Sequence, residues 1–188
     1  MKIEGLNLEL STCNQHLATM PLQINEPVPD FELPDLHGRL YHLSDYRGQI
    51  VIVNFWSYEC PHSERTDKAI LSMFVQWRDD VSMLTIASNR NETAKELKTI
   101  SEARHLPTVL LDANCEVADL FEAQTTPHVF VIDREGFLRY RGSVDNVNFR
   151  QKVPTRFFLE QAVASLLNGH SPEPTESPAY GCAIVREV

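Results

Sequence analysis

Residues 50–56, Ile50-Val51-Ile52-Val53-Asn54-Phe55-Trp56, form a run that is apolar and rich in β-branched and aromatic side chains. Successive side chains of a strand point to opposite faces, so this run needs cover on both sides. It predicts a central strand over 49–56, buried between helices. Few folds offer such a position, and the rest of the chain must supply the two covering layers.

The flanking segments fit that demand. Residues 31–43 alternate apolar and polar side chains around His37-Gly38, which reads as a hairpin, and Leu43-Ser44-Asp45 begins a helical turn. Ile70, Leu71, Phe74 and Trp77 recur at helical spacing over 63–78. Met83, Leu84, Ile86 and Ala87 suggest a second buried strand, and 91–104 a surface helix with Leu97 and Ile100 inward. A short strand is expected at 107–111 and a short helix at 115–123. Val129–Ile132 and Phe137–Arg141 make a hairpin around Asp133-Arg134-Glu135-Gly136. The last helix is expected over 154–168, with Pro154 in its first turn and Gly169 as its stop. This order gives an α/β chain with a mixed central sheet and helices on both faces. Three parts follow: an arm over 1–24, one domain over 25–170, and a Pro-rich tail over 171–188 that reads as an extended tether carrying Cys182.

The four cysteines, Cys13, Cys60, Cys115 and Cys182, form no close pair. Their spacing is neither that of a disulfide-stapled scaffold nor that of a structural zinc site. No metal and no cofactor is expected. Cys60 stands out because Pro61-His62-Ser63 follows it, between the buried strand and the next helix. Helix N-terminal N–H groups stabilise a thiolate, and the thiolate is the nucleophile. A protonated His62 would add to this; Glu59 would oppose it. The competing reading is a small buried hydrophobe. Cys115 opens a predicted helix and is a second candidate of the same kind. Nothing is expected of Cys13.

Asn54-Phe55-Trp56 with Cys60-Pro61-His62-Ser63 resembles the active-site segment of thioredoxin-like redoxins of the AhpC/TSA and TlpA kind. Pro29-Asp30-Phe31-Glu32-Leu33 and Leu43-Ser44-Asp45-Tyr46-Arg47-Gly48 are similar to that group's N-terminal hairpin. Thr125-Thr126-Pro127-His128 is similar to its second active-site loop. The resemblance spans about residues 27–168 and implies a thioredoxin-like fold with Pro127 cis against the cysteine. It implies a thiol-based oxidoreductase in which Cys60 attacks a peroxide or a disulfide, with Trp56, Pro61, Ser63, Thr126 and Pro127 meeting the substrate.

Two departures bear on the chemistry. Ser63 stands where such reductases carry a second cysteine, so a four-residue disulfide is excluded. Ser57 falls where peroxiredoxins have a threonine, but Val53 replaces their proline; Arg65 and Arg141 are candidates for the cation a peroxidatic thiolate needs. Gly181-Cys182-Ala183-Ile184 resembles the tail of a redoxin subgroup. That resemblance implies resolution of an oxidised Cys60 by Cys182, with Cys115 as the alternative and an incidental tail as the other reading. His62 and His128 are expected to flank the site from two loops, with a plain surface position the competing reading for His128. A redox-silent module holding an extended peptide between Cys60 and Pro127 is the alternative function.

The formal net charge is −9, which disfavours binding to nucleic acid or anionic membrane. No run is long enough to span a bilayer and the N-terminus does not read as a secretory leader. The expected setting is cytoplasmic, with a small peroxide or disulfide substrate and an external thiol reductant as partners.

Overall fold

The protein's structure, a computed structural model, describes residues 21–77 and 80–187. Most of the arm expected at 1–24, with Cys13, lies outside the described residues. The apolar run is strand β3 (Ile50–Trp56, after the hairpin β1 Glu32–Pro34 and β2 Leu40–His42), and every residue in it is buried. On one side it pairs in parallel with β4 (Val81–Ala87), which pairs in parallel with β5 (Val109–Leu111). On the other it pairs antiparallel with β7 (His128–Ile132), followed by β8 (Leu138–Gly142). The five-stranded sheet is therefore mixed, in the order β5-β4-β3-β7-β8.

Alternate residues of β3 build the two halves of the core. Ile50 and Ile52, with Val129 and Val131, pack on Ile70 and Met73 of α1 (Pro61–Trp77) and Leu159 and Val163 of α4 (Phe158–Leu167). Trp56 continues this face onto Leu97 of α2 (Ala94–Ala103). Val51, Val53 and Phe55 face Val117 and Phe121, in and just after α3 (Glu116–Leu120), together with Phe31, Leu33 and Leu43 from the N-terminal hairpin and its following turn. Among the described residues no helix is long and apolar enough to cross a membrane.

Two expectations need correction. Pro154 lies outside the last helix, which starts at Phe158. The Asn146 side-chain oxygen accepts the N–H groups of Thr155 and Arg156, at 2.9 and 3.1 Å, and holds that segment against the preceding loop. The tail is not a free tether. Arg141 N–H donates to Thr175 and Ser177 N–H donates back to Arg141, so the Pro-rich stretch lies along the edge of β8. Proline holds the backbone extended, and the outer edge of β8 offers unpaired main-chain groups to such a segment. Farther on, β9 (Cys182–Ala183) pairs antiparallel with β6 (Thr125–Thr126), and Ile184 enters the core at 6% exposure.

Because Ile184 is a core residue, Ile184→Ala should lower unfolding stability by about 2–5 kcal/mol, as for other buried aliphatic truncations. Urea titration measures the loss, and limited proteolysis should show earlier cleavage within 171–187.

Candidate active site

Cys60 closes the turn that leaves the buried end of β3 and is 1% exposed. Its position is fixed by the turn rather than by the thiol. Glu92, just before α2, accepts from the Ser57 hydroxyl at 2.7 Å and the Tyr58 N–H at 2.9 Å. From the other side Arg104 donates to the Tyr58 carbonyl and to Asp67, both at 3.1 Å. Asp67 also accepts from the Trp56 indole. Trp56 is thus fully buried in a structural network and not on a substrate-facing surface. Ser63 is fully buried as well; its contribution is its backbone N–H, which bonds the Cys60 sulfur. Of that group only Pro61 is exposed, while Thr126 and Pro127 are buried beside the cysteine, with the Thr126–Pro127 peptide cis.

Cys182 arrives on β9. Its Sγ lies 2.6 Å from Cys60 Sγ, both cysteines being free thiols. The Cys60 Sγ is also 2.8 Å from the Thr126 carbonyl, to which the protonated thiol donates. Gly181 makes this approach feasible, since a Cβ there would collide with the Thr126 carbonyl. His62 packs edge-on against Tyr180 of the tail, ring centres 4.8 Å apart, and its backbone N–H reaches the Cys182 sulfur.

The two thiols are electrostatically unequal. Burial pushes Cys60 up, but hydrogen bonds from the Cys182 thiol and from the N–H groups of Ser63 and Cys182 outweigh it, so Cys60 ionises below the ordinary thiol value. Burial, then donation to Cys60 and the charge there, pushes Cys182 up to about 11. The pair therefore holds one proton between a ready thiolate and a neutral donor.

The other candidates are placed elsewhere. Cys115 caps α3 in a left-handed conformation and donates to the Ser88 carbonyl at 3.0 Å. Burial, with Asp112 nearby, raises its pKa; the thiol that meets Cys60 is that of Cys182. His128 is neither on a loop nor on the surface: it lies in β7, 9% exposed, against Phe130. Burial and then Arg141 lower it to about 4. Arg65 is committed to Asp145 at 2.7 Å and Arg141 to Glu176 at 3.0 Å, so neither serves the Cys60 sulfur. The role of Glu92 was not read from sequence; a lone glutamate before an amphipathic helix carries no signal beyond a favourable first turn.

The AhpC/TSA family model matches residues 24–141. The chain belongs to the AhpC/TSA family. Its sequence is 29% identical over 115 residues to the thiol-disulfide oxidoreductase ResA of Geobacillus thermodenitrificans, a match covering 60% of this chain and 65% of that protein. The chain thus spans just under two thirds of the curated relative's length. A crystal structure of a hypothetical protein from Sinorhizobium meliloti 1021 superposes with a TM-score of 0.80 at 27% identity, covering 90% of this chain and 97% of that one. A solution structure of a putative thioredoxin from Neisseria meningitidis superposes with a TM-score of 0.62 at 24% identity, covering 75% and 89%. The fold is thioredoxin-like.

Two pH effects are expected. Alkylation of Cys60 by iodoacetamide, followed by peptide mapping, should rise with pH through an inflection below the free thiol value of about 8.5; an inflection at or above it would contradict the site's electrostatics. His128 titrates lower folded than unfolded, so the unfolded chain binds the extra proton between about 6.5 and 4. Its contribution is complete above about pH 6.5 and falls by about 3 kcal/mol as pH drops toward 4. His128→Leu should flatten that part of the stability–pH curve.

Proposed function

We propose that this protein is a thiol–disulfide oxidoreductase whose working pair is Cys60 and Cys182. The observation that carries the reading is the contact between a thiol of lowered pKa and a second thiol 122 positions away in sequence. The name of the ResA relatives supports the reaction class. Cys60 thiolate attacks one sulfur of a substrate disulfide and expels the other as a thiolate. Cys182 then loses its proton to that leaving group and attacks Cys60 Sγ, expelling the remaining substrate thiolate. The substrate gains two electrons and the protein keeps a Cys60–Cys182 disulfide, which an external thiol reductant reopens. Once Cys60 is in the mixed disulfide its charge is gone, and with it part of what holds the Cys182 pKa high.

Peroxide reduction, with an antioxidant role, is the other reaction open to such a pair. The commitments of Arg65 and Arg141 to carboxylates, and of the Ser57 hydroxyl to Glu92, favour disulfide exchange over it. A redox-silent peptide-binding module is disfavoured because the edge at Thr126 is already taken by β9.

Oxidation with one equivalent of glutathione disulfide should give a single internal bond joining the Cys60 and Cys182 peptides, with loss of two hydrogens. Cys115→Ser should leave it intact; Cys60→Ser and Cys182→Ser should abolish it. Hydrogen peroxide should form it more slowly. A product pattern unaffected by Cys60→Ser would overturn the assignment.

A further inference from the structure

The turn before Cys60 and the strand after Cys182 are tied to the same short segment, residues 89–92. On one side Glu92 accepts the Ser57 hydroxyl and the N–H groups of Tyr58 and, more weakly at 3.4 Å, Glu59. On the other side the Asn89 side-chain oxygen accepts the Val185 N–H at 2.8 Å. Arg90 N–H donates to the Val185 carbonyl at 3.0 Å. The Glu92 N–H donates to the Asn89 carbonyl at 3.2 Å, which closes the path between the two sides. Ser57 is three residues before Cys60 and Val185 three residues after Cys182, so the connection brackets the sulfur pair symmetrically.

We propose that Glu92 and Asn89 are positioning residues: a hydrogen-bonded relay that registers Cys182 against Cys60 and so sets how readily the pair closes. This deepens the reading of Cys60 and Cys182 as a redox couple and rests on it. The physical need is clear from β9 itself. A two-residue ladder is too short to hold a strand in one register, because a slip of one residue turns its side chains to the opposite face. Such a slip would carry Cys182 away from Cys60. The Asn89 and Arg90 bonds to Val185 pin the strand beyond the ladder. The Glu92 bonds pin the turn that Cys182 must meet. Asn89 joins the two, so a shift of either cysteine strains the same group of bonds. Glu92 Oε2 is buried without a partner, so the relay runs through its other oxygen and calls for an acceptor there rather than for a second one.

Two measurements on the reduced 188-residue chain test the relay. The first is the rate of Cys60 alkylation by iodoacetamide, which reports whether the tail still covers a thiol that is 1% exposed. The second is the dithiol–disulfide equilibrium of the pair in glutathione buffers. Asn89→Ala and Glu92→Ala should each speed alkylation and weaken closure by about tenfold, the effect of losing one good hydrogen bond. Glu92→Gln keeps the acceptor oxygen and should stay within about threefold of wild type. Asn89→Ser serves if Asn89→Ala does not fold. A purely structural role would lower the melting temperature and leave both measurements within about twofold, and that result would overturn the relay. If wild type forms no Cys60–Cys182 bond but Asn89→Ala still uncovers Cys60, the relay stands as the tail's clamp and the redox reading fails. If wild type closes normally and the variants match it, the relay fails alone.

Discussion

The site depends on an antiparallel contact only two residues long, in which Thr125–Thr126 meets Cys182–Ala183. So short a ladder is not stable by itself. It persists because the chain is anchored on both sides of it. Upstream, Thr175 and Ser177 pair with Arg141, and the Ser177 hydroxyl bonds the Tyr140 hydroxyl. Downstream, Ile184 is buried among Phe55, Phe121 and Phe130, and Arg186 pairs with Asp119. The tail is thus part of the folded domain, and the second cysteine reaches the first without any rearrangement of the sheet.

The chemistry that follows is one of unequal environments for like groups. Cys60, Cys115 and Cys182 all stand at or beside element ends. Only Cys60 collects enough N–H and thiol donors to overcome its burial. Cys115 also stands at a helix start, yet burial and Asp112 dominate and its thiol stays neutral. Asp112 itself accepts the Val117 and Ala118 N–H groups, so the positive end of that short helix is already satisfied by a carboxylate. A cysteine beside a helix N-terminus is activated only when the free N–H groups point at its sulfur.

The Ser63 position brings no second sulfur to Cys60. A thiol there would sit one helical turn beyond Cys60. The chain instead leaves a buried hydroxyl without a hydrogen-bond partner and uses the Ser63 N–H alone. The second sulfur comes from the opposite direction, along the segment that precedes Pro127. The tail, with Tyr180 against His62 and Cys182 against Cys60, covers a thiol that is 1% exposed.

Much of the frame was legible in the sequence because local pattern carries it. The apolar run at 50–56 required a doubly covered strand, and the alternation and helical spacing around it gave each covering element its place. Cys60-Pro61 marked the site because it lies where a strand end meets a helix, and Asn54-Phe55-Trp56 and Thr126-Pro127 marked it through their resemblance to redoxin active-site segments. What tertiary structure decided was set by long-range pairing that no local pattern encodes. That Cys182 rather than Cys115 meets Cys60, that Trp56 is walled in by Asp67 and Arg104, that His128 is buried in a strand, and that Glu92 holds the active-site turn are all matters of how the elements pack together. Sequence fixes which groups can donate, accept or ionise; burial and the neighbours brought by the fold determine which of them do.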